Sequence, residues 1–302
     1  MAEAKPVTTP LPKNIKLDNI DTWVEDPNIP YAKAIGSLMY AALQTWLDIA
    51  FAVQHLSQYT SNPAQEHWTV VKWVLRYLKG TCNEGIIYKR AETAPQIEIY
   101  ADADFANWTN AKSISGYACV MNGTCLMWSS KKQSTVALST TEADYITLTH
   151  VAKQLTWIWR LLNKIGLEQW DPTMICCDNL SAITITCDAT YHTCTKHINI
   201  YYHYIREKVA SNEASLTYIA SKDNIADIMM KAIPLDNHDK LKELLGITKE
   251  NTCWGGVLKC TTCAYMWISR DLEVTWCTYI TSGMRLSTHS WETLPRESPL
   301  KP

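Results

Sequence analysis

Four acidic side chains lie in sequence contexts that predict strand, helix, strand and helix in turn. They are Asp102 in IEIYADADFANW, Glu142 in LSTTEADYITL, Asp178 in MICCDNLSAI and Asp227 in SKDNIADIMMKA. Carboxylates that converge from separate elements repel one another unless divalent cations lie between them. The set therefore indicates a site that holds two metal ions and hydrolyses a phosphodiester bond.

Each of these acids also has a structural explanation. The STTE sequence at 139–142 matches a capping box, in which the glutamate stabilises the first turn of a helix. Asp178 would cap the helix that follows it, and Asp227 would favour a helix dipole. Asp102 and Asp104 would be ordinary acids at a strand end, although aspartate is disfavoured within strands. All four explanations would have to coincide in a defined order, so the set favours the functional interpretation.

Composition limits the classes of protein to be considered. The chain has 302 residues, 47% of them hydrophobic, and a net charge of -2, so nucleic-acid binding would need a local basic face. The N-terminal MAEAKPVTTPLPKN lacks the apolar core of a signal peptide, and no apolar run approaches the ~20 residues that span a bilayer. The 11 cysteines are therefore expected to be reduced thiols. We expect an intracellular protein, in the cytoplasm or the nucleus, with no membrane partner.

The first part of the chain predicts helices. Residues 1–30 carry five prolines and little periodicity, which is typical of an extended lead-in. Residues 31–80 repeat apolar side chains at helical spacing and are interrupted at Asn62-Pro63. They predict three short helices in a segment that reaches to residue 90.

The second part predicts a sheet. IEIYADAD alternates as a strand, and GYACVMNGTCLMWSS predicts two strands joined at Asn122-Gly123. A long helix follows from about Ser139 to Ile165, and then the strands TMICC and SLTYIA and a final helix over NIADIMMKAI. The pattern predicts an α/β domain over 91–236, with a mixed sheet of five strands flanked by helices. Residues 237–302 would form a C-terminal helix and a poorly structured tail.

Two further constellations are less specific. Lys196, His197 and Arg206 follow one predicted helix among interleaved tyrosines. They would form either a solvated face or a track for phosphates, and the pattern does not separate the two. Cys260 and Cys263 form a single CxxC without a second pair, which rarely indicates zinc.

The segment YADADFANWTNAKSISGYACVMNGTCLMWSSKKQSTVALSTTEADYITL resembles the ribonuclease H domain of copia-type retrotransposon Pol polyproteins. CDNLSAI, TKHINIYYHYIREKV and DNIADIMMKAIP continue the resemblance in the same order. Upstream, YAKAIGSLMYAALQTWLDIAFAVQHLSQYTSNPAQEHWTVVKWVLRYLKGT resembles the segment that joins the reverse transcriptase to that domain. The match covers about residues 30–246.

The resemblance implies a ribonuclease H fold that cleaves the RNA strand of an RNA–DNA hybrid with two Mg²⁺ ions, for which Mn²⁺ can substitute. By motif, Asp102 corresponds to the acid of the first strand, with Asp104 as the second choice, and Glu142 to the acid of the helix. Asp178 and Asp227 correspond to the acids of the fourth strand and the last helix. Asp102 would bridge both ions, Glu142 and Asp178 would hold one, and Asp227 the other.

Departures from the family leave a second function open. The chain contains no Tyr-x-Asp-Asp motif and no protease or integrase segment, so we expect no polymerase activity. Residues 31–90 would have lost the polymerase fingers and palm as their intramolecular partner and would expose apolar surface. The alternative to a ribonuclease H is therefore an inactive transposon relic that at most binds nucleic acid. Read-through past the original stop would account for the tail.

Overall fold

The computed structural model describes residues 3–13, 15, 17, 29–88, 96–106, 111–188 and 203–249, together with the backbone of residues 258–259, 264–268 and 274–278. Within this set, helices pack on both faces of a central sheet. The sheet and its two helical layers position the acids.

The first helices lie where the apolar periodicity predicts them. They are α1 (Tyr31–Gln44), a 3₁₀ turn (Leu47–Ile49), α2 (Ala50–Ser57) and α3 (Gln65–Gly80), followed by a strand, β1 (Glu84–Tyr88). The break between α2 and α3 contains Pro63. The helix ends there because the residue before a proline disfavours the helical conformation. At the start of α3, the His67 ring accepts a hydrogen bond from the Ala64 backbone N–H over 2.9 Å and so closes the first turn.

The N-terminal lead-in runs along α3. The Trp73 indole N–H donates to the Thr9 carbonyl over 2.8 Å. Arg76 donates to the Lys5 carbonyl over 2.7 Å and Lys79 to the Ala4 carbonyl over 2.9 Å. These bonds use side-chain donors of the helix to satisfy the backbone of a segment without regular structure.

The sheet has the five strands that the sequence predicts. They are β2 (Ile97–Asp104), β3 (Ile114–Met121), β4 (Thr124–Lys132), β5 (Thr173–Cys177) and β6 (Ala214–Tyr218), in the order β4-β3-β2-β5-β6. The pairs β4/β3 and β3/β2 are antiparallel, whereas β2/β5 and β5/β6 are parallel. The prediction of a mixed five-stranded α/β sheet is therefore confirmed.

The conformation of the turn between β3 and β4 explains why this hairpin could be predicted from the sequence. Asn122 has φ of 52° and Gly123 has φ of 76°. Two consecutive residues with positive φ are what the tightest hairpin turns need, and Asn-Gly is the dipeptide that adopts them most readily.

The remaining elements complete the described part of the chain. They are α4 (Thr140–Lys164), α5 (Leu180–Cys187), α6 (Tyr204–Ala210), two 3₁₀ turns (Ser221–Asp223 and Ile225–Met229), α7 (Leu235–Leu244), β7 (Ile247–Lys249), β8 (Leu258–Lys259), β9 (Ala264–Ile268) and β10 (Val274–Thr278). Ser139 caps α4 by accepting a hydrogen bond from the Glu142 N–H. The final helix predicted over NIADIMMKAI is a 3₁₀ turn, because Met230 N–H bonds to the Asp227 carbonyl at i→i+3 spacing.

The two faces of the sheet bury different layers. Cys119 of β3 packs in a core with Ile146 and Leu155 of α4. Ile114, an odd number of residues away on the same strand and therefore on the other face, packs with Leu38 and Val74 of the helical segment. Apolar side chains of α1 and α3 that we expected to be exposed are thus buried against the sheet.

Polar contacts also join the helical segment to the sheet. The Trp128 indole N–H of β4 donates to the Ala42 carbonyl over 2.8 Å. Lys132 at the end of β4 donates to the Gln58 side chain over 2.6 Å. The segment and the sheet therefore share an interface that is both apolar and hydrogen-bonded.

A buried charged network ties α7 to the same segment. The Tyr77 hydroxyl donates to Asp48, and the Lys242 ammonium donates to Tyr77 over 3.1 Å and to Glu84. Asp48, Tyr77 and Lys242 are all buried. In addition, β1 pairs antiparallel with β7. Contacts therefore cross both of the domain boundaries that the sequence suggests, after residue 90 and after residue 236.

In the part of the chain that the structure describes, every helix is too short or too polar to cross a membrane.

Candidate active site

Asp102 lies near the end of β2, and its side chain is almost fully buried. One carboxylate oxygen accepts a hydrogen bond from the Ala103 N–H over 2.8 Å. Across the strand pair, Asp102 lies opposite Gly116 of β3. A Cβ atom on Gly116 would lie 3.0 Å from Met229 Cβ and 3.2 Å from the Ala226 carbonyl oxygen. The glycine therefore lets the 3₁₀ turn that carries Asp227 approach the sheet.

The acid that α4 contributes to this place is Asp144. Asp144 is 4% exposed, and one of its carboxylate oxygens accepts a hydrogen bond from the Asn179 side chain over 2.9 Å. Its other oxygen, Oδ1, is buried and has no hydrogen-bond partner within the described part of the chain. A buried carboxylate oxygen without a donor is costly unless a cation or a proton accompanies it.

Glu142 is directed elsewhere. Its N–H donates to Ser139 and its carboxylate accepts a hydrogen bond from the Leu138 N–H over 2.8 Å, so it stabilises the start of α4. Residues two apart on an α-helix point roughly 200° away from each other. The same helix therefore directs one acid to its own N-terminus and the other to the site.

Asp178 directly follows β5, and Asn179 then caps α5 by accepting hydrogen bonds from the Ser181 and Ala182 N–H groups. The Ser221 hydroxyl donates to the Asp178 carboxylate. Ser221 belongs to the turn after β6, the strand adjacent to β5. Neighbouring parallel strands thus bring the acid and its hydrogen-bond donor to one edge.

Asp102, Asp144 and Asp178 converge. Each offers a carboxylate oxygen, and these oxygens all lie within 4.8 Å of one another. They line an open cleft of about 560 Å³ that Asp104 and Lys231 also line. Oxygen-only ligand sets of this kind suit hard cations such as Mg²⁺ and Mn²⁺.

Asp227 lies beside the cluster, on the 3₁₀ turn Ile225–Met229. The Lys231 ammonium lies 2.7 Å from Asp227 Oδ1 and 3.5 Å from Asp102 Oδ2. Of the acids that the sequence proposed, the structure brings Asp102 and Asp178 together and places Asp227 beside Lys231. Asp144 and Lys231 were not among the proposed residues.

The crowding of these acids changes their protonation. Burial, the hydrogen bond with Asp227 and the negative charge of Asp178 raise the pKa of Asp102 to about 8. Burial raises the pKa of Asp144 to about 7, with the Asn179 hydrogen bond opposing and the charge of Asp178 reinforcing the shift. Near neutral pH the cluster therefore retains protons that a bound cation would displace.

The structure describes only one of the three residues that we predicted to contact nucleic acid. Lys196 and His197 lie outside the described residues. Arg206 of α6 donates from its guanidinium to the Ile185 carbonyl over 2.6 Å and to the Asp188 carbonyl over 2.9 Å. The structure thus uses Arg206 to satisfy carbonyl groups at the end of α5, and a role in binding nucleic acid stays a prediction.

Comparisons with known proteins identify the relatives of this chain. The retrovirus-related Pol polyprotein from transposon TNT 1-94 of Nicotiana tabacum is 41% identical over 254 residues, which are 82% of this chain and 19% of that protein. The corresponding polyprotein from transposon RE2 of Arabidopsis thaliana is 36% identical over 86% of this chain and 18% of that protein. Over most of its length the chain is similar to the Pol polyproteins of copia-type transposons. It spans about a fifth of the length of these curated relatives.

The chain has the mixed five-stranded α/β sheet that the sequence predicts, with the sheet order β4-β3-β2-β5-β6. Among solved structures, the N-terminal ribonuclease H domain of Rv2228c from Mycobacterium tuberculosis, fused to maltose-binding protein, aligns with 49% of this chain and 96% of that chain, at 14% identity and a TM-score of 0.31. No protein-family model matches the chain.

Proposed function

We propose that this chain is a metal-dependent ribonuclease H that hydrolyses the RNA strand of RNA–DNA hybrids. The observation that carries the proposal is the convergence of Asp102, Asp144 and Asp178 within 4.8 Å, together with the buried Asp144 oxygen that has no donor in the described chain. Carboxylate oxygens are the ligands that hard divalent cations prefer. The family resemblance supplies the substrate class.

The proposed roles follow from the contacts of each residue. Asp102, Asp144 and Asp178 would hold one Mg²⁺ or Mn²⁺ ion, and Asp102 and Asp227 would hold a second. A bound divalent ion supplies a Lewis acid and a water with a lowered pKa. Asp144 takes the place that we predicted for Glu142, because the Glu142 carboxylate bonds to the Leu138 N–H.

Two neutral side chains position the acids. Asn179 holds the Asp144 carboxylate and Ser221 holds the Asp178 carboxylate, so that each presents its remaining oxygen to the cleft. Partners of this kind fix ligand orientation and are nearly as important to affinity as the ligands themselves. The cleft is open, which leaves room for a nucleic-acid backbone to reach the acids.

The experiment is a cleavage assay on the full 302-residue chain with a hybrid labelled on its RNA strand, in Mg²⁺ and in Mn²⁺. We expect RNA cleavage that falls by more than about 100-fold in Asp144→Asn, since the loss of a residue that only orients a metal ligand already costs about 10–100-fold. The matched variant Glu142→Gln, two residues away on α4, should retain cleavage.

The outcomes separate the candidates. Loss of cleavage in Glu142→Gln but not in Asp144→Asn would return the helix acid to Glu142. A folded wild-type chain that neither binds Mn²⁺ nor cleaves the hybrid would make it an inactive relic.

A further inference from the structure

Lys231 places a positive charge against two of the acids at the candidate site. Its ammonium is 2.7 Å from Asp227 Oδ1 and 3.5 Å from Asp102 Oδ2. We propose that Lys231 is an internal cation that occupies the second metal position, so that the substrate-free site binds one divalent ion and admits a second only when this ammonium withdraws. The inference rests on the proposed function, because it assumes that the acids bind metal.

The geometry divides the acids into two groups that share Asp102. On one side, the oxygens of Asp102, Asp144 and Asp178 lie within 4.8 Å of one another. On the other side, Asp102 and Asp227 both contact Lys231. The first group offers an oxygen that has no donor in the described chain, whereas the second group already contains a positive charge.

The charge of Lys231 is stabilised where it lies. The Lys231 ammonium donates to Asp227 Oδ1 over 2.7 Å and lies 3.5 Å from Asp102 Oδ2. It therefore competes with a divalent ion for the same carboxylates. Two cations on one pair of oxygens would repel each other.

The lysine is also free to leave. Its side chain is 41% exposed, while that of Asp102 is 6% exposed. A lysine has a flexible four-carbon stem, and its backbone is anchored by the Lys231 N–H bond to the Asp227 carbonyl at 3.1 Å. The ammonium can therefore turn into the cleft without moving the 3₁₀ turn, and an incoming phosphate would stabilise it there.

The test is the number of Mn²⁺ ions bound by the full chain without nucleic acid, measured by isothermal titration calorimetry and by electron paramagnetic resonance of the free ion. We expect one tightly bound ion in the wild type. Lys231→Met should bind a second ion at least about tenfold more tightly than the wild type does, because a positive charge beside a carboxylate shifts its ionic equilibrium by roughly one to three log units.

Three variants act as controls. Lys231→Arg keeps the charge and should retain one tight site. Lys240→Met removes an exposed ammonium that lies 3.2 Å from Asp223, outside the cluster, and should match the wild type. Adding Asp227→Asn to Lys231→Met should abolish the gained site, which would locate it. Circular dichroism verifies that each variant is folded.

Two distinguishable outcomes would overturn the inference about Lys231. A folded wild type that already binds two ions with similar affinity would overturn the inference, and this measurement does not depend on any variant. A Lys231→Met chain with unchanged second-ion affinity would overturn it as well. In both cases an Asp178-dependent first ion would leave the proposed function intact, whereas absence of any Asp178-dependent ion would remove both.

Discussion

At the scale of single residues, Asn179 has two tasks. Its amide N–H donates to Asp144 over 2.9 Å, while its amide oxygen accepts from the Ser181 and Ala182 N–H groups at the start of α5. Asn179→Ala should therefore lower Mn²⁺ affinity by about 10–100-fold and reduce the free energy of unfolding by about 1 kcal/mol. Calorimetric Mn²⁺ titration and urea denaturation measure the two effects.

Asn179→Asp separates these tasks. Aspartate is as good a helix cap as asparagine, but it has no N–H to donate and adds a negative charge beside Asp144. We expect near wild-type unfolding of α5 together with a changed metal affinity. An alanine variant that loses stability and still binds Mn²⁺ like the wild type would show that Asn179 is only a helix cap.

The acids also predict how stability changes with pH. Asp102 and Asp144 have pKa values of about 8 and 7 in the fold, against an ordinary value of 3.8. Between about pH 4 and pH 8 the folded chain binds more protons than the unfolded chain. The stability that these protonated acids contribute is therefore present below about pH 4 and is lost as pH rises toward 8. Without metal, the urea midpoint should fall from pH 5 to pH 8.

Divalent ions should reverse this trend, because they bind the deprotonated cluster of the folded state. Saturating Mg²⁺ should raise the urea midpoint more at pH 8 than at pH 5. Asp102→Asn removes one titrating group and should flatten the metal-free profile. A metal-free midpoint that rises over this pH range in the wild type would contradict the assignment.

Asp144 was not predicted from the sequence, for a physical reason. Two acids lie two positions apart at the start of α4, and the capping motif drew attention to Glu142. The motif was genuine: Glu142 stabilises the helix start by bonding to the Leu138 N–H. Since a helix directs residues two apart to roughly opposite sides, a glutamate used as a cap leaves Asp144 as the acid able to face the sheet.

At the scale of elements, α7 depends on one buried lysine. Lys242 donates to Tyr77 over 3.1 Å and lies 3.8 Å from Asp48, in a site where all three are buried. Lys242→Met would leave the Asp48 charge buried without this partner and should reduce the free energy of unfolding by about 3–5 kcal/mol. Urea denaturation of the full chain measures the loss.

A second lysine on the same helix gives the matched control. Lys240 pairs with Asp223 at the surface, where the two side chains are 54% and 45% exposed. Lys240→Met should change stability by about 0–1 kcal/mol. Equal effects of the two substitutions would mean that the buried network contributes nothing beyond an ordinary surface pair.

Elements with a strong local signal were predictable. The strands β2 to β6, the helix α4 and the Asn122-Gly123 turn all follow from periodicity or from turn chemistry. The pairing of β1 with β7 was not predictable, because Glu84 and Lys249 are far apart in sequence and each strand is short. Such long-range contacts depend on which surfaces the rest of the fold leaves exposed, and local sequence patterns carry no information about those surfaces.

At the scale of the whole molecule, the helical segment and the sheet share their cores. Ile114 of the sheet and Met230 beyond the 3₁₀ turn pack with Leu38 and Val74 of the helices. Leu47 of the helical segment packs with Ala118, Val120 and α7. The face of the sheet opposite α4 would therefore be open to solvent without residues 31–88. Exposed apolar surface of this kind promotes aggregation.

A truncated chain that begins at residue 91 tests this dependence. We expect the full chain to unfold in a single transition seen equally by tryptophan fluorescence and circular dichroism, which is the criterion for one cooperative unit. The truncated chain should aggregate or lose cooperative unfolding, because it lacks the partners of Ile114, Met230 and Lys242. If the truncated chain were instead monomeric and as stable as the full chain, the boundary near residue 90 suggested by the sequence would be a true domain boundary. The buried contacts across it would then contribute little, and the acids of the site would be held by the sheet and α4 alone.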